Sequence, residues 1–161
     1  VENIIQATKL TKVYGEKETS VTALDNIDVQ FNENEFTAIM GPSGSGKSTL
    51  LHCLAGLDRP TSGQILLKDQ DISTLNDKQL TKIRRDSFGF VFQAFNLIPT
   101  LTAEENITLP ASIAGRKPDM DWIKQVVETV DISDRLTHRP NELSGGQQQR
   151  VAAARAMATK P

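Results

Sequence analysis

The chain has 161 residues, enough for one domain with its own core, and its formal net charge of −2 gives no argument for nucleic acid or acidic lipid as a partner. A single cysteine, Cys53, excludes an internal disulfide framework, fits a reducing compartment and is expected only to fill core space. No apolar run approaches the ~18 residues of a membrane span, and "VENIIQATKL" lacks the basic start and apolar stretch of a secretory signal.

Taken in chain order, residues 1–40 read as β-rich. "NIIQATKLTKVY" and "ALDNIDVQF" carry apolar residues near period two, with Ile27, Val29 and Phe31 on one face. "FTAIM", too short for a helix, is expected to be a buried strand ending at Gly41. "KSTLLHCLAG" follows as a helix with Leu50, Leu51 and Leu54 on its inner face and Gly56 as its stop. "GQILL" reads as a strand, and "NDKQLTKIRR" as a short helix with Asn76 as N-cap, Leu80 and Ile83 inward and Arg84–Arg85 on a solvated face. "FGFVF" is expected to be a strand running into Gln93. Beyond it the pattern turns helical: "TAEE" has the capping-box form, and "MDWIKQVVETV" spaces Trp122, Val126, Val127 and Val130 along one face. His52 and His138 have no neighbours at metal-ligand spacing and are expected to be structural or solvated. This order predicts an α/β core with a helical insertion.

Two motifs carry chemistry. Gly41, Pro42, Ser43, Gly44, Ser45, Gly46, Lys47, Ser48 and Thr49 spell "GPSGSGKST", which fits G-x-x-x-x-G-K-[ST]. Its glycines let successive backbone N–H groups turn inward around phosphates, and the helix opening at Lys47 adds its positive dipole end. The ammonium of Lys47 then reaches the β- and γ-phosphates and the Ser48 hydroxyl ligates Mg²⁺. The second motif is "LSGGQ", Leu143 to Gln147. Ser144 is a plausible N-cap and Gln147 can reach back to its N–H. The cap does not explain Gly145 and Gly146, which weaken a first helical turn; something is expected to approach that backbone closely.

With both motifs in order, the sequence resembles the ATP-binding-cassette (ABC) ATPases along its whole length. The resemblance implies a P-loop NTPase (RecA-like) core with an N-terminal antiparallel β subdomain and a helical signature subdomain. One partial ATPase domain would then divide into residues 1–93, 94–143 and 144–161. It also implies that Tyr14 stacks on adenine, although an ordinary strand aromatic fits the same pattern. Gln93 matches the glutamine that senses Mg²⁺ and the attacking water, and with Lys47 makes up the part of the implied catalytic set that the sequence contains. Gln93 to Pro99 would contact an integral membrane permease; the apolar "AFNLIP" is either tucked under the helices or exposed to that partner, the second being preferred. Ser144, Gly145, Gly146 and Gln147, with Leu143, would serve the nucleotide of a second ATPase subunit in a head-to-tail dimer. ATP and Mg²⁺ are the implied ligands, nucleic acid is not an implied partner, and the inner face of the plasma membrane, on the cytoplasmic side, is the implied location.

"GEKETSVTAL", "LDRPTSGQI" and "RPNELSGGQQQRVAAARA" look most like the exporter branch that moves lipoproteins, macrolides or antimicrobial peptides. An amino-acid importer shares the pattern "VFQ-FNL-P", and an ATP-driven signalling module uses the same motor. A small nucleotide kinase is disfavoured by LSGGQ and by the β-rich start, and a DNA-repair ABC protein by the short span between the motifs. In the family an apolar strand ending in Asp-Glu, and later a histidine, follow the signature. No Asp-Glu pair occurs in these 161 residues, and His138 precedes the signature. A truncated chain that lacks its catalytic Glu, binds ATP and does not turn it over is therefore expected, with its core sheet unfinished.

Overall fold

Two strands of 12 residues each open the structure, β1 (Asn3–Tyr14) and β2 (Val21–Asn32), paired antiparallel across a short 3₁₀ turn at Lys17–Thr19. The computed structural model describes residues 2–161. In β2 the alternation holds: Ile27, Val29 and Phe31 are half-buried while Asp28 and Gln30 face solvent. β3 (Ser62–Leu67) adds to the free side of β1 and β4 (Gln70–Asp71) to β3, giving an antiparallel sheet in the order β2-β1-β3-β4. α1 (Lys47–Leu54) packs on β1 and β2. Ala7, Leu10, Leu24, Ile65, Cys53 and Leu54 are buried in this part of the chain. α1 ends where the sequence says it should, with Gly56 in the left-handed region at φ 66°. Its inner face is narrower than expected, because Leu51 is half exposed and Cys53 takes the buried position. α2 (Asp77–Ser87) starts on a reciprocal cap between Asn76 and Gln79.

The chain divides into two compact units, Val1–Thr81 and Lys82–Pro161. In the second, α3 (Ala103–Ile113), α4 (Met120–Thr129) and α5 (Gly145–Met157) bury Ile107, Ile123, Val126, Val127, Val151 and Ala154 against one another. Each fully buried aliphatic side chain is worth about 1.5–3 kcal/mol. Small residues on α5, Ala152 and Ala154, let the helices approach closely. The Thr102 capping box is present, with Glu105 returning its side chain to the Thr102 N–H. Asn106 is the one wholly buried polar side chain of the described core, and it is fully used. It accepts from the Ile98 N–H at 2.7 Å and donates to the carbonyls of Ile98, Leu101 and Thr102 at 3.0–3.2 Å. Asn106→Leu strands these groups in an apolar site, so a loss of about 2–4 kcal/mol and a fall in Tm of several degrees are expected by calorimetry. An unchanged Tm would contradict that account.

Two expected strands are not formed. "FTAIM" has no regular secondary structure and is unpaired, with Phe36 98% and Met40 87% exposed. "FGFVF" is likewise unpaired; Phe88, Phe90 and Phe92 stack on one another along one side, and Gly89 lies against α5, where a Cβ would collide with the Ala156 carbonyl. The reason is physical. A strand exists through its ladder, and no described residue pairs with either run. The parallel sheet expected beside the glycine loop is accordingly not assembled among residues 2–161.

Candidate nucleotide site and signature helix

Gly46 makes the loop at 41–49 possible. It caps α1 in the left-handed region, φ 87°, and a Cβ there would strike the Ala23 carbonyl of β2. Since glycine offers no capping side chain, the N–H groups of Lys47, Ser48 and Thr49 have no acceptor among the described residues. They form the start of a helix that attracts anions. The Lys47 ammonium folds back over the loop, donating to the carbonyls of Gly41 at 2.8 Å and Pro42 at 2.7 Å and to Ser45 Oγ at 3.3 Å. Around Gly44 there is open space, with nothing within 4 Å of an added Cβ. Ser48 is exposed and its hydroxyl has no partner among the described residues, so it can ligate a cation. No group of three or more His, Cys, Asp or Glu suited to a metal occurs among the described residues. A hard divalent ion would therefore depend on the Ser48 oxygen and on phosphate oxygens, a donor set that suits Mg²⁺. The loop thus fits a triphosphate with its Mg²⁺.

Tyr14, at the end of β1, is 41% exposed and tethered. Its hydroxyl donates to Asp58 Oδ2 at 2.6 Å, while Lys12 donates to Asp58 Oδ1 at 2.8 Å and to the Arg59 carbonyl at 2.7 Å. The Lys12 ammonium also lies over the Tyr14 ring, 4.7 Å from its centroid. The hydrogen bond to Asp58 and then desolvation hold the Tyr14 phenol above its ordinary pKa, against an opposing hydrogen bond from Thr49. For Asp58, burial pushes the carboxyl up, but the bonds from Lys12 and Tyr14 outweigh it and the net direction is down. Neither Lys12 nor Asp58 is marked in the sequence. The only signal is a charge pair 46 residues apart, which no local pattern reveals.

In the second unit, Gln93 is exposed at a turn and opens a loop of uncommon shape. Phe95 and Asn96 both have positive φ, 58° and 48°. What holds them there is Arg155 of α5, whose guanidinium donates to the carbonyls of Asn96 and Phe95 at 2.7 Å each. Its burial draws the pKa below the ordinary guanidinium value. The Asn106 side chain ties down Ile98 and Leu101 farther along. "AFNLIP" is therefore split: Leu97 packs on the helical core, whereas Ala94, Ile98 and Pro99 are exposed.

The signature residues open α5 as expected. Gln147 N–H donates to Ser144 Oγ at 3.3 Å, and Ser144 N–H to Gln147 Oε1 at 2.9 Å. Leu143 is buried, while Ser144 and both glycines are exposed, with negative φ and nothing within 4 Å of an added Cβ. Beside them lies a cleft of about 410 Å³ lined by Asp131, Asp134, Ser144, Gly146, Gln147 and Arg150, with Arg150 paired to Asp131 at 3.1 Å. His138, the histidine nearest the signature, has a buried Nδ1 without a partner. The loop at 41–49 and Tyr14 belong to the first unit, and Gln93 and the signature to the second.

Comparison with known proteins identifies the family. The family described as ABC transporter matches residues 24–161. The lipoprotein-releasing system ATP-binding protein LolD of Cytophaga hutchinsonii is 44% identical over 163 aligned residues, covering 100% of this chain and 73% of that protein. The macrolide export ATP-binding/permease protein MacB of Marinobacter nauticus is 46% identical over 96% of this chain and 24% of its own length. Among solved structures, the dimeric post-hydrolysis state of the ATP-binding cassette MJ0796 bound to ADP and Pi superposes with a TM-score of 0.88. It is 44% identical, over 98% of this chain and 70% of that one.

Proposed function

The chain belongs to the ABC transporter family as an ATP-binding subunit, and from that premise we propose that it drives an exporter by closing head-to-tail on a second copy around two ATP molecules. One observation carries the dimer. Gly145 and Gly146 weaken the helix they open and are required by nothing in this chain's own packing, which fits a backbone reserved for a ligand from outside. In this reading the unpaired N–H groups at 47–49 and the Lys47 ammonium hold one copy's phosphates. Ser144 Oγ and the N–H groups of Gly145 and Gly146 meet the γ-phosphate of the other copy. Bound Mg²⁺, held by Ser48, would neutralise phosphate charge as the terminal bond loosens. In the same reading Gln93 senses that metal and the attacking water. Residues 1–161 contain no Asp-Glu pair that could polarise that water.

Tyr14 is the platform for the base. The exposed Ala94, Ile98 and Pro99 meet a membrane permease. MacB and LolD, named for macrolide export and lipoprotein release, support the exporter branch. The test is light scattering of the full-length protein with Mg-ATP under conditions that block hydrolysis. A nucleotide-dependent dimer is expected; a monomer at saturating Mg-ATP would sink the proposal.

A further inference from the structure

We propose that Asp58 is a positioning residue for the nucleotide base, acting through Tyr14, with Lys12 as the counter-charge that holds Asp58 in place. The inference rests on Tyr14 being the base platform, and goes beyond it by explaining how one exposed tyrosine is oriented before any nucleotide arrives. A tyrosine at a strand end has two free torsions, and ordering them on binding opposes association. Here the ordering is already done. The phenol is fixed by Asp58 Oδ2 at 2.6 Å, and the carboxylate is fixed through its other oxygen by Lys12 at 2.8 Å. Lys12 is anchored in turn on the Arg59 carbonyl, and its side chain is only 13% exposed. Thr49, in the first turn of α1, also reaches the phenol, which ties the ring to the phosphate loop.

With the Lys12 ammonium 4.7 Å from the centroid, one face is covered, leaving the opposite face for a base. The cation draws π-density toward itself, and the open face then favours an electron-rich, extended ring system. A purine meets that demand better than a pyrimidine.

The experiment compares Mg-ATP with Mg-tripolyphosphate, which has the phosphates and no base, by calorimetry on the full-length protein. Tyr14→Phe keeps the ring and the Lys12–Asp58 pair but cuts the tether; Asp58→Ala removes the anchor. Both are expected to weaken Mg-ATP about fivefold while leaving tripolyphosphate within about twofold. Equal weakening of both ligands, or of neither, overturns the proposal. If Asp58→Ala does not fold because Lys12 is stranded, Tyr14→Phe decides by the same criterion. Wild-type protein that binds ATP no more tightly than tripolyphosphate has no base platform, and the proposal falls with that reading. Binding of neither ligand removes the phosphate-loop assignment as well.

Discussion

Lys47→Ala is expected to raise the Kd for Mg-ATP by at least about 100-fold without unfolding the protein. The size of the effect comes from charge. The Lys47 ammonium faces only neutral acceptors of its own loop, two carbonyls and the Ser45 hydroxyl. Triphosphate oxygens are far stronger acceptors, so the ammonium exchanges weak partners for ionic ones when nucleotide enters. Two charge-assisted hydrogen bonds at about 1.5–3 kcal/mol each account for the factor. The fold loses little, because the lysine belongs to no core and its acceptors can turn to water. Titration with a fluorescent ATP analogue, alongside thermal unfolding, reads both quantities. Unchanged affinity would remove the loop from the phosphate site; a collapse in Tm would make Lys47 structural.

The second large effect separates stability from function. Gly146→Asp places a carboxylate in the first turn of α5, where the helix dipole favours it by about 0.3–1 kcal/mol, and where nothing obstructs a side chain. The Tm is expected to hold or rise by a few degrees. ATP hydrolysis by the full-length protein is expected to fall at least about 100-fold, because the carboxylate repels the incoming γ-phosphate and blocks its approach. Gly145→Ala tests the steric part alone, with a more stable helix and a weaker dimer. If Gly146→Asp lowered stability and activity together, the glycines would be serving their own helix, and the composite site would lose its main support.

Locally encoded features were legible before the structure was known. The Thr102 and Ser144 capping boxes, the Asn76 cap and the Gly56 stop each depend on residues within four positions of one another, and all four formed. The β2 alternation was readable for the same reason, whereas irregular pairing breaks period two in β1, where the buried Ala7 and Leu10 stand three apart. "FTAIM" and "FGFVF" misled because an apolar run shows only what an element would be if flanked; the flanking ladder is a non-local fact. Leu51 misled on a smaller scale, since helical spacing does not say how wide a stripe its neighbours cover. In the candidate site, motif residues were readable by spacing, but their supports were not. Asp58 reaches Tyr14 across 44 residues and Arg155 reaches Phe95 across 60. Nothing in either local sequence announces such a partner.

The fork of Arg155 has a consequence for how such proteins diversify. Phe95 and Asn96 hold an unfavourable backbone shape through their carbonyls, and Ile98 and Leu101 are held by Asn106 through main-chain atoms as well. The form of this loop is thus written in two helices and not in the side chains it displays. Ala94, Ile98 and Pro99 can be exchanged for other residues while the backbone that presents them keeps its path. If this loop is the partner surface proposed above, one mount can in this way carry interchangeable faces, each fitted to a different partner.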